Sequence, residues 1–174
     1  MKSVRWVLAL VVAGLLVLSG CSIPGANVAA TVNGVDIPSS RIESAVAAIG
    51  SSPGQLAEPH AIVLTWAIRG EVARTIAAEQ GIQLTGEPRT ALLSANQSLE
   101  QYAKVPQAAD FVNDLVDATL VINKVGEAPF VAKVAQTNIQ VNPRFGAWSA
   151  QTVTVDQTGG QLSVPWTAPS APAP

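Results

Sequence analysis

The chain has 174 residues, 48% of them hydrophobic and 13% charged, with a formal net charge of −2. That weakly acidic balance leaves no basic footprint for nucleic acid. One cysteine and one histidine exclude an intrachain disulfide and leave a Cys/His metal or nucleophile site without partners.

The first twenty residues read MKSVRWVLALVVAGLLVLSG. Lys2 and Arg5 precede an uncharged apolar run from Trp6 to Leu18. The run is short of the about 20 apolar residues a membrane-spanning helix needs. A positive start, a short apolar stretch and small residues before a cut make an export signal. Leu18-Ser19-Gly20-Cys21 resembles a lipobox, the bacterial lipoprotein signal. The resemblance implies that the peptidase reads Leu18, Ser19 and Gly20, that Cys21 carries a diacylglycerol, and that the mature chain begins there. Two acyl chains anchor a protein stably where one does not. Membrane lipid is then one partner, and the extracytoplasmic face of the cell membrane the location. Residues 21–27 become a lipidated tether, 28–156 a folded domain, and 157–174 a Pro/Ala-rich tail read as disordered.

The folded part opens with β-formers at 28–32 and 35–37 around Asn33-Gly34, a hairpin signal because both turn residues accept positive φ. Pro38 ends the second arm. Ser40 and Glu43 have capping-box spacing before a helix over 41–49, with Ile42, Ala45, Val46 and Ile49 on one face and Gly50 closing it. A loop follows. The next helix spans 59–80, from Pro59 to a Gly81-Ile82 ending of Schellman type, with Ile62, Trp66, Val72, Ala73 and Ile76 near helical spacing. Gly70 in its middle costs about 1 kcal/mol relative to alanine. Thr85 opens a helix over 87–104 marked by Leu92, Leu99 and Tyr102. Pro106 opens the most amphipathic one, over 107–125, with Phe111, Leu115, Ala118, Ile122 and Val125 as its stripe and Gly126 as its cap. A helical turn over 130–135 is predicted next. Strand-like alternation at 138–141 and 151–155 brackets a turn at 142–146, and residues 162–166 are expected to touch the core. The fold class is mainly α with a small β-element: a hairpin, about four helices and a C-terminal strand segment.

The order of these blocks resembles the N-terminal domain of SurA-type chaperones and the wider SurA/PrsA/trigger-factor-like group. Ala30-Thr31-Val32-Asn33-Gly34 with Ile37, and Gly81-Ile82-Gln83-Leu84-Thr85 after a long helix, carry the resemblance. The segment from Val141 to Ser149, VNPRFGAWS, is similar to the closing segment of actinobacterial lipoproteins of this kind. The resemblance implies that the strand at 138–141 returns to the opening hairpin. It also implies chaperone-like binding of unfolded or extended exported polypeptides, without a cofactor. Many relatives carry a parvulin isomerase domain. About 90 further residues and a second histidine would be needed, so the chain is read as a non-enzyme, with a degenerate isomerase as a remote alternative. A structural or partner-specific scaffold lipoprotein is the nearer one.

Among single residues, His60 lacks partners for catalysis or metal binding. Asp110, Asp114 and Asp117 could pair or hold a cation, but their spacing reads first as the solvated face opposite the apolar stripe. Trp66, Tyr102, Phe145 and Trp148 are the candidate peptide-binding residues, since binding clefts use the residue types of cores.

Overall fold

The computed structural model describes residues 24–49 and 58–156. Strand β1 (Val28–Val32) turns through Asn33 and Gly34, at φ 50° and 84°, into β2 (Val35–Pro38). Two positive φ values match the right-handed twist of the arms, which is why Asn-Gly closes this hairpin. Helix α1 (Ser39–Ile49) follows directly, and α2 (Pro59–Gln80) is the central helix. Helices α3 (Glu87–Ser94) and α4 (Gln97–Ala103) lead to α5 (Pro106–Val125) and α6 (Glu127–Gln136). Strand β3 (Ile139–Val141), a 3₁₀ turn (Pro143–Phe145), β4 (Ala147–Ser149) and β5 (Thr154–Asp156) complete the described chain.

The fold is mainly helical with a small antiparallel sheet near the N-terminus, as expected. Strand β3 does return to the hairpin. It pairs with β1 in the order β2-β1-β3, with Ala30 opposite Val141 and Val32 opposite Ile139. Asn33 fastens the far end of this pairing, its N–H donating to Asn138 O and its Oδ1 accepting from the Asn138 N–H at 3.0 Å. Strands β4 and β5 form a second, two-stranded sheet.

Several boundaries move for local reasons. Helix α1 starts at Ser39, whose N–H donates to Asn27 O, and Glu43 pairs with Arg144 at 2.5 Å. The helix expected over 87–104 is two helices. Asn96 takes an extended conformation and its side chain accepts from the Leu99 N–H at 3.2 Å, restarting the helix. The turn at 130–135 is the longer α6, and the strand at 151–155 forms only at Thr154–Asp156. Strand β4 was not anticipated. The Schellman ending forms as read, with Ile82 N–H reaching Ala77 O at 2.9 Å. Gly50, residues 162–166, the tail and the whole signal segment lie outside the described residues. Among the described residues no helix is long and apolar enough to cross a membrane.

Helix α2 is buried nearly all round, through Val63, Leu64, Ala67, Ile68, Val72, Ala73 and Ile76. Helices α1, α5 and α6, strands β1 and β5 and the 3₁₀ turn pack against it. An all-round apolar helix belongs inside a fold, so the one-sided stripe read from Ile62 and Trp66 understates its burial.

Its tightest contact is with α5. A Cβ on Gly70 would stand 2.6 Å from Asp114 Oδ1, 2.8 Å from its Cβ and 2.9 Å from its Cα. The last of these is backbone, so the helices would have to part. This close approach accounts for a helix-weakening residue at mid-helix. Gly70→Ala is therefore expected to lower stability by about 1–3 kcal/mol through overpacking, although alanine is the better helix former. Urea unfolding measures it, and a variant as stable as the parent contradicts the contact.

Candidate functional site

Two clefts lie on opposite aspects of the α2 chemistry. The first covers a charge network. Helix α5 places Asp110, Asp114 and Asp117 on one side, where α1 supplies Arg41, α2 supplies Arg74 and Glu71, and α3 supplies Arg89. Asp114 is only 1% exposed. Its Oδ2 accepts from Arg41 at 2.7 Å and its Oδ1 from Arg74 at 3.0 Å. Arg74 also reaches Asp117 at 3.1 Å and Glu71 at 2.9 Å. Arg89 donates to Asp117 at 2.6 Å, to Leu84 O and to Asn113. Arg41 lies 3.4 Å from Asp110, which remains exposed.

The reading of these aspartates as a solvated face is thus overturned for Asp114 and Asp117, which are buried and paired. Helix α5 is enclosed by more neighbours than its stripe requires, burying Val112, Val116 and Val121 beside Phe111 and Ala118. A buried carboxylate persists only if paired and hydrogen-bonded. Three arginines from three helices meet that demand. They also occupy the carboxylates, and among the described residues no group of three His, Cys, Asp or Glu side chains could hold a metal ion.

Burial pushes the Asp114 carboxyl up to about 6, against the downward pull of Arg41 and Arg74. Burial also works against charge on Arg74, but Glu71 and Asp114 hold that guanidinium above its ordinary value. At neutral pH both groups are charged and the network is intact. Over it lies an open, polar cleft of about 550 Å³, edged by Leu84 and Thr85. Every arginine in it already holds a carboxylate, so no charge stands free for an anion.

The second cleft, about 340 Å³, runs between the first half of α2 and strand β5. Ala61, Ile62, Thr65 and Trp66 line one wall and Thr154 and Val155 the other, with Glu58 and Arg69 at the rims. Its floor is fastened by polar bonds. The Val155 N–H donates to Thr65 Oγ1 at 2.9 Å, and Arg69 Nε to Val153 O at 3.0 Å. The Arg69 guanidinium lies 5.0 Å from the Trp66 ring centre, a cation–π distance. Burial pulls Arg69 below its ordinary pKa, with Glu127 opposing. Val153 sits at φ 56°, a strained value for a β-branched residue, and the Arg69 bond and its own burial hold it there.

The four candidate peptide-binding residues do not form one groove. Phe145 is 3% exposed, packed in the core near His60 with ring centres 6.4 Å apart, so its ring is not available to a partner. Tyr102 is half-buried on α4, which packs on α3 and α5. Trp66 lines the second cleft. Trp148 lies opposite Val155 across the β4–β5 pair and is half-buried against the core, so these two tryptophans flank the same strand. Cys21, Leu18, Ser19 and Gly20 lie outside the described residues. Reading the sequence missed the three arginines and Arg69 altogether. Mid-helix Gly70 was the one signal of a close helix contact, and the partner across it was not legible. No known protein family, curated protein or solved structure matches the chain.

Because Asp114 is raised in the fold, the folded state holds more protons than the unfolded one between pH about 4 and about 6. Its contribution to stability is fully present below about pH 4 and is lost as pH rises through about 6. Arg41 and Arg74 keep Asp110, Glu71 and Asp117 as partners when Asp114 is neutralised. The stability advantage of the parent over Asp114→Asn is therefore expected to grow, by on the order of 2 kcal/mol, between about pH 7.5 and about pH 4.5. Denaturant midpoints across that range measure it. A constant or shrinking advantage contradicts burial as the dominant influence.

Proposed function

We propose that the chain is an exported lipoprotein, anchored through Cys21, that binds short extended polypeptide segments without catalysis, in the manner of the SurA-type chaperone domains it resembles. The observation that carries the binding half is the α2–β5 cleft. It offers an apolar wall with one large aromatic ring, Trp66, beside a short strand held at a fixed distance. Aromatic anchors in desolvated pockets dominate the energetics of such contacts. The signal segment ending at Cys21 supports the location. Weak contact with many clients suits a tethered binder whose effective concentration at the membrane is high.

A specific observation favours the second reading, a scaffold lipoprotein with one dedicated partner. A cleft of about 340 Å³ takes a side chain or two rather than a long segment. Among the described residues Val35 is the exposed large apolar side chain, at 50%. The broad apolar patch of a general holdase is not apparent among these residues.

Peptide-array binding with the mature chain separates the two. The chaperone-like reading expects many extended apolar and aromatic peptides to bind, and Trp66→Ala to weaken them about tenfold, or about 1.4 kcal/mol, while Tyr102→Ala leaves them unchanged. An array silent for the parent moves the assignment to a single folded partner. Equal binding by Trp66→Ala and the parent removes the cleft.

A further inference from the structure

The tether that precedes the domain does not end in free chain. Gly25 O accepts from the Val28 N–H at 2.9 Å, and Asn27 O accepts from the Ser39 N–H at 2.9 Å. The Asn142 side-chain amide donates to Val28 O at 3.0 Å and lies 3.4 Å from Gly25 O, while its backbone N–H donates to Ala29 O. Residues from β1, α1 and the end of β3 thus grip the chain from Gly25 onward. Four Cα steps separate Cys21 from Gly25, which cannot exceed about 14 Å at full extension.

Strand direction fixes which end of the sheet this is. Val28 pairs with Pro38, Val32 with Val35, and Val32 also with Ile139. The tether, the start of α1 and the exit of β3 therefore share one end. The Asn33–Gly34 turn and Asn138 share the other, further along by about 13 Å of strand. At the tether end Pro38, Ser40, Pro143 and Arg144 are exposed, and at the far end Asn33, Gly34, Val35 and Asn138.

We propose that acylated Cys21 holds the domain in one orientation, with the end carrying Pro38, Ser40, Pro143 and Arg144 against the headgroups of its own bilayer and the Asn33–Gly34 turn pointing away. The proposal rests on lipid anchoring at Cys21. Tether length imposes the proximity, not charge, because the exposed Arg144 guanidinium already holds Glu43. The orientation has a consequence for the α2–β5 cleft. His60 stands beside Phe145 at the tether end, and Trp66 follows about 9 Å along α2. The cleft belongs to the half of the domain nearest the bilayer, where a segment leaving the membrane would first meet it.

The test uses the full lipidated protein in vesicles of phosphatidylethanolamine and phosphatidylglycerol. Acylation occupies the Cys21 thiol, so Ser40→Cys and Arg144→Cys at the tether end, and Val35→Cys and Gln136→Cys at the far end, the last at an exposed residue two positions before Asn138, can each be labelled singly with a fluorophore. Headgroup-spin-labelled lipid should quench labels at 40 and 144 several-fold more than those at 35 and 136, in low and high salt alike. Inserting 20 Gly/Ser residues after Ile23, about 25 Å in r.m.s. length, should erase the difference. Equal quenching at all four positions in protein that floats with vesicles overturns the orientation alone. Protein that fails to float, indistinguishable from Cys21→Ser, overturns the anchor and with it the orientation.

Discussion

The contact on which the described structure turns is the crossing of α2 and α5, where Asp114 lies against a helix surface with no side chain. Gly70 gives the space, and the carboxylate that enters it is cut off from water. Everything around the crossing answers that burial. Arg41 comes from α1, Arg74 from α2 itself, and Arg89, one residue further out, ties α3 to the neighbouring Asp117. One polar group, placed where a helix is narrowest, thereby sets how four helices meet. A hydrophobic replacement of similar volume could be as stable, because the desolvation of a buried ion pair offsets much of its attraction. What the charged arrangement adds is a single geometry in which every partner is satisfied.

The rest of the fold is arranged around this crossing in two directions. Toward the N-terminus, β1 and α1 pack on α2, and β3 returns over a hundred residues later to close the sheet beside β1. That long-range pairing brings the tether, the end of β3 and the 3₁₀ turn to one end of the domain. Away from the charge network, β5 and the Val153 that precedes it bond to the first half of α2 through Thr65 and Arg69, leaving the apolar cleft between strand and helix. The same helix thus serves as structural axis on one side and as the wall of the candidate binding surface on another.

Much of this was legible residue by residue. The Asn-Gly hairpin, the Pro59 start and the Gly81-Ile82 end of α2, and the long α5 follow from turn chemistry, capping and period, which act over a few residues. The failures have equally local or equally distant causes. Asn96 breaks one expected helix in two because its side chain competes for a backbone N–H, an outcome a periodicity count does not register. The aspartates of α5 read as a solvated face because their partners lie 28 to 73 positions away, on other helices. Phe145 read as a groove residue because an aromatic in an irregular segment gives no sign of which side will face the core. The return of β3 was expected only through a family resemblance, and the pairing with β1 is present.

Asp114 and Arg74 are partners across the crossing, with the carboxylate ionised at neutral pH and close to titrating. A double-mutant cycle of Arg74→Met and Asp114→Asn, read by denaturant unfolding, tests this most directly. Near pH 7.5 the two changes should be non-additive by about 1–3 kcal/mol. That coupling should fade as pH falls below about 6, where Asp114 takes up its proton. Strict additivity at pH 7.5, or a coupling that persists unchanged at low pH, would contradict it.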